Sequence, residues 1–154
     1  MNSMARACSM VVNLLFPRGC AGCDKPDEVL CEACRALFSQ PTAQSFDGVA
    51  MQRWFACGWY RGTVRRAVLA WKDHGDEECD RAFADAICAL AKASGVIDFV
   101  RDRHGSCHDV VVVVPAPSSP ASIRRRGRKH MMPIAKHLAG FLREETGCEV
   151  TVLS

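Results

Sequence analysis

The chain has 154 residues, of which 49% are hydrophobic and 24% are charged. Disorder is excluded, because disordered segments combine low hydrophobicity with high net charge. The 20 lysines and arginines exceed the 17 acidic residues by only three, so overall charge does not predict nucleic-acid binding. The length allows one ordinary domain, or a metal-bound module joined to a core of about one hundred residues.

The first apolar stretch, residues 8–16, ends at Pro17 and Arg18. It is much shorter than the roughly 18 residues of a membrane-spanning helix. No small-residue cleavage site follows it, which argues against a secretory signal. We therefore expect a short amphipathic helix and a cytoplasmic protein.

Four of the ten cysteines form one compact block: Cys20-x-x-Cys23, seven intervening residues, and Cys31-x-x-Cys34. Two C-x-x-C pairs supply the four thiolates of a tetrahedral zinc site, and Gly19 and Gly22 give the first turn backbone freedom. We predict structural Zn²⁺ in a small ribbon, since four thiolates leave no position for a catalytic water. A redox C-x-x-C pair is the main alternative, but no βαβ strand precedes it. The six scattered cysteines are predicted to be small apolar residues; they are Cys8, Cys57, Cys79, Cys88, Cys107 and Cys148.

The middle of the chain predicts a linker, a strand and two helices. Residues 39–48 are polar and turn-rich, which is typical of a linker. The aromatic segment 53–60 favours a strand, and Thr63 is placed to begin a short helix with Val64, Val68 and Trp71 on one face. The acidic residues 76–78 favour the start of a second helix over 78–94, which Gly95 ends. The buried stripe of that helix is predicted to be Phe83, Ile87, Leu90 and Ala91.

The last third predicts one βαβ unit. The unbroken β-branched run 110–114 is typical of a strand buried on both faces, as in parallel sheets. A helix over 131–145 follows, with Ile134, Phe141 and either His137 or Leu138 inward and Gly147 at its end. A second strand covers 149–153. The predicted class is therefore α/β.

The loop predicted between Pro115 and Met131 is strongly basic. Such a loop leaves the carboxyl end of a strand, where open α/β sheets bind ligands, and it leads to a helix N-terminus. We predict that it binds a phosphate or pyrophosphate, with a solvated loop or a nucleic-acid contact as alternatives. No aromatic residue interleaves with its arginines, so base stacking has no obvious platform there. Its candidate anion-binding residues are Arg124, Arg125, Arg126, Arg128 and Lys129.

Taken in order, these pieces resemble the ComF family of competence-associated, phosphoribosyltransferase-like proteins. The resemblance covers nearly the whole chain, and the combination is specific where each piece alone is not. It rests on Leu15-Phe16-Pro17 with the four cysteines, on Tyr60-Arg61-Gly62 with Val64-Arg65-Arg66, Lys72 and Gly75, on Val112 to Pro117, and on Arg126-Gly127 with His130, Ile134-Ala135 and Leu138.

The resemblance implies an N-terminal zinc ribbon (domain 1–48) followed by a type I phosphoribosyltransferase-like parallel sheet with flanking helices (49–154). The ligand would be phosphoribosyl pyrophosphate with Mg²⁺, and Lys72 would join the arginines in stabilising pyrophosphate. The family's acidic pair and Thr/Gly-rich ribose-phosphate loop are not found, and Arg128 and Lys129 replace an aromatic residue and Asn. We therefore expect an incomplete domain, truncated at its C-terminus, without transferase turnover.

Two other functions remain open. One is a nucleic-acid-binding module linked to DNA uptake, which would contact single-stranded DNA or a competence protein through Arg18, Lys25, Arg35 and the basic loop. The other is an inactive fragment. An unpaired terminal strand also predicts self-association.

Overall fold

The computed structural model describes residues 19–45, 53–73, 76–103 and 110–153. It has mixed helix and strand, with a cysteine cluster near its N-terminus and a small parallel sheet near its C-terminus. The predicted helix over 8–16 lies outside the described residues. In chain order, the elements are α1 (Glu32–Ala36), β1 (Thr42–Ser45), β2 (Arg53–Ala56), α2 (Gly62–Asp73), α3 (Cys79–Ala93), α4 (Val96–Arg103), β3 (Val111–Val113), α5 (Pro120–Arg126), α6 (Met131–Thr146) and β4 (Val150–Val152).

The segment expected to be a linker contains a strand. β1 pairs antiparallel with β2, with Thr42 opposite Ala56 and Ser45 opposite Arg53. The pairing overrides the polar composition of 39–48, because a partner strand supplies the backbone hydrogen bonds. β2 is also shorter than the predicted strand 53–60, since its last residue, Ala56, pairs with Thr42, where β1 begins. Trp59 and Tyr60 consequently lie beyond the ladder and are exposed.

The two predicted central helices are present, although Val68, Ile87 and Leu90 of their predicted faces are only partly buried. α2 begins at Gly62, so Thr63, which was predicted to cap the helix, lies within it; α2 buries Val64, Ala67 and Trp71. α3 lies within one residue of the prediction at each end, and Gly95 follows its cap with a φ of 74°. α4 was not predicted; it buries Ile97 and Val100.

The βαβ unit is present, with β3 and β4 parallel and Val111 opposite Val150. The prediction that its first strand is buried on both faces is wrong, since Val112 is 50% exposed. Val111 and Val113 pack towards the core that α6 helps to form, and no described element covers the opposite face.

The predicted basic loop contains a helix, because α5 occupies residues 120–126. Ser119 caps α5 by accepting a hydrogen bond from the Ser122 N–H, and Pro120 is its first residue. Gly127 ends it in the left-handed region with a φ of 73°. These are standard helix boundaries.

α6 extends one residue further than predicted and ends at Gly147, with a φ of 73°. Ile134 is buried as expected, whereas Leu138 and Phe141 are only partly buried. α3 and α6 pack together, and α6 also packs on β3 and β4.

The cysteine block shares one hydrophobic core with the central helices. Cys20 and Cys34 belong to the same buried cluster as Trp71, Phe83 and Ile134. The rings of Trp71 and Phe83 have their centroids 5.1 Å apart. The block is therefore packed against α2 and α3. The domain boundary predicted between residues 48 and 49 falls outside the described residues.

Candidate metal centre and basic segment

The four cysteines predicted as ligands come together in space. The Sγ atoms of Cys20, Cys23, Cys31 and Cys34 all lie within 4.8 Å of one another, and those of Cys23 and Cys31 are 3.6 Å apart. Tetrahedral Zn–S bonds of about 2.3 Å place neighbouring sulfurs about 3.8 Å apart. The prediction that these residues form one cluster able to hold a metal ion is confirmed.

The first pair lies in a tight turn closed by backbone hydrogen bonds. The N–H of Asp24 donates to the carbonyl of Cys20 at 2.8 Å, and the N–H of Cys20 donates to that of Lys25 at 2.8 Å. The left-handed conformation is adopted by Asp24, with a φ of 61°. The second pair lies at the start of α1, so Cys31 and Cys34 are separated by one helical turn.

Gly22 is required for space rather than for a special backbone angle. A Cβ at this position would lie 2.8 Å from Cys34 Sγ and 2.8 Å from Thr63 Cγ2. Real Cβ atoms do not approach other heavy atoms so closely. The first cysteine turn therefore packs directly against the second pair and against the beginning of α2.

Backbone N–H groups stabilise negative charge within the cluster. The N–H groups of Cys31 and Gly22 point at Cys20 Sγ, at 3.3 and 3.4 Å. Burial acts to raise the pKa of Cys20, but these donors and the Cys23 N–H outweigh it and lower the pKa to about 6. Burial and the neighbouring thiols raise the pKa of Cys34.

The residues present fit a structural metal site. Three of the four cysteines are buried and Cys23 is exposed. Four soft sulfur donors favour Zn²⁺, and a complete set of four leaves no open position for substrate. When bound, Zn²⁺ would link the first cysteine turn to α1. The remaining described cysteines lie outside the cluster; Cys88 is buried within α3 as predicted.

The predicted basic loop between Pro115 and Met131 is called the basic segment from here on. Three of its arginines form ion pairs with carboxylates. Arg125 and Arg126 both contact Asp73 Oδ1, at 3.2 and 2.8 Å. Arg128 contacts Asp80 Oδ2 at 2.6 Å. The side chains of Arg126 and Arg128 are only 12% and 16% exposed. These two arginines therefore hold the segment against the ends of α2 and α3.

Arg128 also carries an orphaned donor. Its Nη2 atom is buried and has no hydrogen-bond partner in the described part of the chain. A buried donor without an acceptor is costly. Arg128 thus retains unused hydrogen-bonding capacity in spite of its ion pair with Asp80.

The remaining predicted cations are not paired. Arg124 and Lys129 are exposed and Lys72 is half-buried, and none of the three forms an ion pair with a described residue. Lys72 directly precedes the carboxylate that binds Arg125 and Arg126. Lys72, Arg125, Arg126 and Arg128 therefore lie around the C-terminal end of α2, and Arg124 lies beside them on α5. Lys129 lies near the carboxyl ends of β3 and β4.

His130 reports the electrostatic character of this region. It is 7% exposed, and its ring meets that of Trp71 edge-on, with centroids 5.1 Å apart. Burial lowers the pKa of His130, and the positive charges of Arg126, Lys72 and Arg128 lower it further, outweighing the opposing effect of Asp73. Arg126, Lys72 and Arg128 therefore each affect the pKa of His130 more than Asp73 does.

A cavity of about 370 Å³ opens at the carboxyl ends of β3 and β4. It is walled mainly by apolar groups from the turn after β3, by Leu153 after β4, and by Met131 and Met132 of α6; Ser118 and Lys129 are its polar members. Ser118 Oγ also lies 3.4 Å from His130 Nδ1. No carboxylate lines the cavity within the described residues.

The N-terminus of α6, which was predicted to favour an anion, has few free N–H groups. The N–H of Met132 donates to the Lys129 carbonyl at 3.0 Å, and Pro133 has no N–H. The free donors expected at the start of α6 are therefore few, and side chains have to supply any anion contact.

The cations proposed near the cysteine block are also engaged. Lys25 pairs with Glu28 at 2.5 Å, and Arg35 Nε donates to the Leu30 carbonyl at 2.8 Å. Arg18 lies outside the described residues. A different basic surface, which sequence reasoning missed, lies around Trp59 and Tyr60; its signal was the adjacency of two aromatic residues and an arginine.

Comparisons of the chain with protein-family models, with curated proteins and with solved structures gave no match. The resemblance to the ComF family therefore rests on the motifs quoted above. None of the helices in the described ranges has the length and apolar character needed to cross a membrane.

Proposed function

We propose that this chain is a zinc-stabilised, phosphoribosyltransferase-like protein of the ComF type that binds phosphoribosyl pyrophosphate or a related phosphorylated ligand at the carboxyl ends of β3 and β4. The observation that carries the proposal is the position of the cavity at these strand ends. Ligands of open α/β sheets bind there, and Lys129 of the basic segment lines the cavity.

The charges around the cavity support an anionic ligand. Lys129 lines the cavity and forms no ion pair with a described residue, so its ammonium group can bind a phosphate oxygen. Charged hydrogen bonds of this kind contribute more than neutral ones. The apolar wall would contact the sugar or an attached ring, and Mg²⁺ would arrive with the pyrophosphate, since the cavity walls offer it no carboxylate.

The proposal is one of binding without turnover. The described residues near the cavity include no acidic pair to hold ribose hydroxyls. Lys72 and the arginines at 124–128 would stabilise pyrophosphate electrostatically, with Lys129 at the cavity wall. The cysteine cluster would hold Zn²⁺ in a structural role, and reduced thiolates favour a location in the cytoplasm.

Titration calorimetry of the zinc-loaded chain with phosphoribosyl pyrophosphate, with and without Mg²⁺, tests the proposal. We expect saturable binding that Lys129→Ala weakens about tenfold, as loss of a charged hydrogen bond does. Lys136→Ala removes the same charge from an exposed position on α6 and should bind as the unaltered chain does. Absence of binding, or equal affinity in both variants, would overturn the proposal.

We also propose that a second copy of the chain pairs with the exposed edge of the sheet formed by β3 and β4. Val112, Val114 and Leu153 are 50%, 64% and 59% exposed, and no described strand pairs with the outer edge of β3 or β4. Such edges pair with other chains. Sedimentation at tens of micromolar should show association that Val112→Lys reduces; a sharp monomer peak for the unaltered chain would contradict this.

A further inference from the structure

The cysteine cluster presents only one of its four members to solvent. Cys20, Cys31 and Cys34 are 0%, 3% and 3% exposed. Cys23, by contrast, is an exposed residue. A small solute that approaches the cluster from solvent therefore meets Cys23 first.

A second sulfur lies within reach of Cys23, and the other two cysteines are held by contacts of their own. Cys23 Sγ and Cys31 Sγ are 3.6 Å apart, so a bond of about 2.05 Å needs only a small side-chain movement. A bond from Cys23 to Cys20 would disturb a sulfur that accepts two backbone N–H groups. A bond to Cys34 would move a sulfur that packs closely against Gly22. Cys31 is therefore the expected partner of Cys23.

Two of the described cysteines outside the cluster are less suited to oxidation. Burial raises the pKa of Cys57, whose thiol donates to the carbonyl of Ala86 at 3.7 Å, and raises the pKa of Cys88 to about 11. Oxidants react with the thiolate rather than with the thiol. Metal binding keeps its cysteine ligands deprotonated. We therefore expect an oxidant to react in the cluster before it reacts with Cys57 or Cys88.

We propose that Cys23 is a site of reversible oxidative modification, at which peroxide produces a disulfide with Cys31 and the cluster loses its metal. First, the Cys23 thiolate attacks peroxide: an S–O bond forms, the O–O bond breaks, and hydroxide leaves a sulfenic acid behind. Second, the Cys31 thiolate attacks that sulfur: an S–S bond forms, the S–O bond breaks, and a second hydroxide leaves. The two sulfurs lose two electrons and the peroxide gains them.

The modification would weaken the attachment of the cysteine block to the central helices. Only Cys20 and Cys34 would remain as ligands, whereas a structural zinc site uses four. Both belong to the buried cluster that contains Trp71 and Phe83, so loss of the metal should destabilise the helices packed there. A thiol reductant would restore the two thiolates. The loss of stability rests on the proposed structural role of Zn²⁺, but the pairing of Cys23 with Cys31 does not.

Treatment of the zinc-loaded chain with hydrogen peroxide tests the proposal, with disulfide mapping by mass spectrometry and detection of released zinc by a chromophoric chelator. We expect a Cys23–Cys31 disulfide, release of the bound zinc and a lower midpoint of urea unfolding. Dithiothreitol and added Zn²⁺ should reverse all three changes.

Two variants separate the modification from general oxidation. Cys23→His keeps four zinc ligands, as Cys₃His sites do, but cannot form the disulfide, so it should release zinc at least about tenfold more slowly. Cys148→Ser removes a thiol that lies outside the cluster and should release zinc at the rate of the unaltered chain. Zinc content and circular dichroism before oxidation establish that each variant is folded.

Several outcomes would overturn the proposal. A disulfide from Cys23 to Cys20 or Cys34 would assign the wrong partner, and equal rates of zinc release from Cys23→His and the unaltered chain would exclude Cys23 as the site. Failure of dithiothreitol to reverse the change would mean oxidation beyond the disulfide. A chain that binds no zinc would contradict the metal centre alone, because mapping of the disulfide in the metal-free chain still tests the pairing of Cys23 with Cys31.

Discussion

Arginines near the C-terminal end of α2 form ion pairs, whereas those at its N-terminal end form none with a described residue. At its C-terminal end, Asp73 accepts hydrogen bonds from Arg125 and Arg126, and Arg128 is held nearby by Asp80. At its N-terminal end, Arg65 and Arg66 face solvent without a described partner. One end joins α2 to the last third of the chain, while the arginines of the other end have no such partner among the described residues.

The difference shows that a dense run of positive charge is a poor guide to available charge. The run at 124–129 stands out in the sequence, but carboxylates located 48 and 53 residues earlier neutralise much of it. The less dense patch at 59–66 retains all its charge. Substitutions at the two ends of α2 test this difference.

Loss of the cysteine cluster should destabilise both ends of α2, because the cysteine block packs against this helix. Cys34→Ser removes a buried ligand, and we expect loss of bound zinc and a decrease of at least about 3 kcal/mol in the free energy of unfolding. Elemental mass spectrometry and urea unfolding measure the two effects. Cys148→Ser, outside the cluster, should retain zinc; equal zinc content in both variants would show that the cluster is not the metal site.

Truncating an arginine should destabilise the paired end and spare the free end. Among the described residues, Arg128→Ala leaves the Asp80 carboxylate only the hydrogen bond from Trp71 Nε1, at 2.5 Å, and should lower the free energy of unfolding by about 2 kcal/mol. Arg66→Ala is the matched variant and should change it by less than about 0.5 kcal/mol. Similar decreases in the free energy of unfolding of the two variants would contradict the difference between the two ends of α2.

The paired end should also lose stability in mild acid through His130. Burial, with the neighbouring cations, holds the pKa of His130 below its usual value of 6.5 in the folded chain. Between the folded and unfolded pKa values the unfolded chain binds more protons, so stability is complete above about pH 6.5 and falls as the pH decreases. Urea unfolding at pH 7.5 and 5.5 measures this.

His130→Phe is the control for that titration. It keeps an aromatic ring beside Trp71 but cannot take up a proton, so the decrease in stability between the two pH values should be smaller. The same decrease in both proteins would exclude His130 as its source.

The smallest expected effect comes from removing the carboxylate of the paired end. Asp73→Asn frees Arg125 and Arg126, and we expect pyrophosphate to bind up to about fivefold more tightly, given the usual strength of exposed ion pairs. Asp98→Asn removes the same charge from α4, where Asp98 pairs with Arg101, and should leave pyrophosphate affinity unchanged. Calorimetry compares the two; an equal gain in both would reflect net charge alone.

Local signals in the sequence predicted much of the fold. The 3.6-residue spacing of apolar side chains located α3 and α6, and Gly95 and Gly147 ended them. The boundaries of α5 were also readable, from Ser119 and Pro120 at its start and Gly127 at its end. The density of arginine in the same residues favoured the prediction of a ligand-binding loop instead of a helix.

Other features depended on contacts that no local pattern records. β1 is polar and became a strand only because β2 pairs with it. Val112 belongs to an apolar run, yet it is half-exposed because α6 covers one face of β3 and no described element covers the other. α4 is short, and burial of Ile97 against the βαβ core stabilises it.

The local sequence was enough to predict the cysteine cluster, because two C-x-x-C pairs bring four sulfur atoms together through short turns. It also determined the βαβ order, since apolar periodicity specifies strand and helix locally. Which arginines are free depends on tertiary contacts. An ion pair forms wherever folding brings a carboxylate within reach, and the carboxylates of Asp73 and Asp80 reach the basic segment only after α2 and α3 have packed against the last third of the chain.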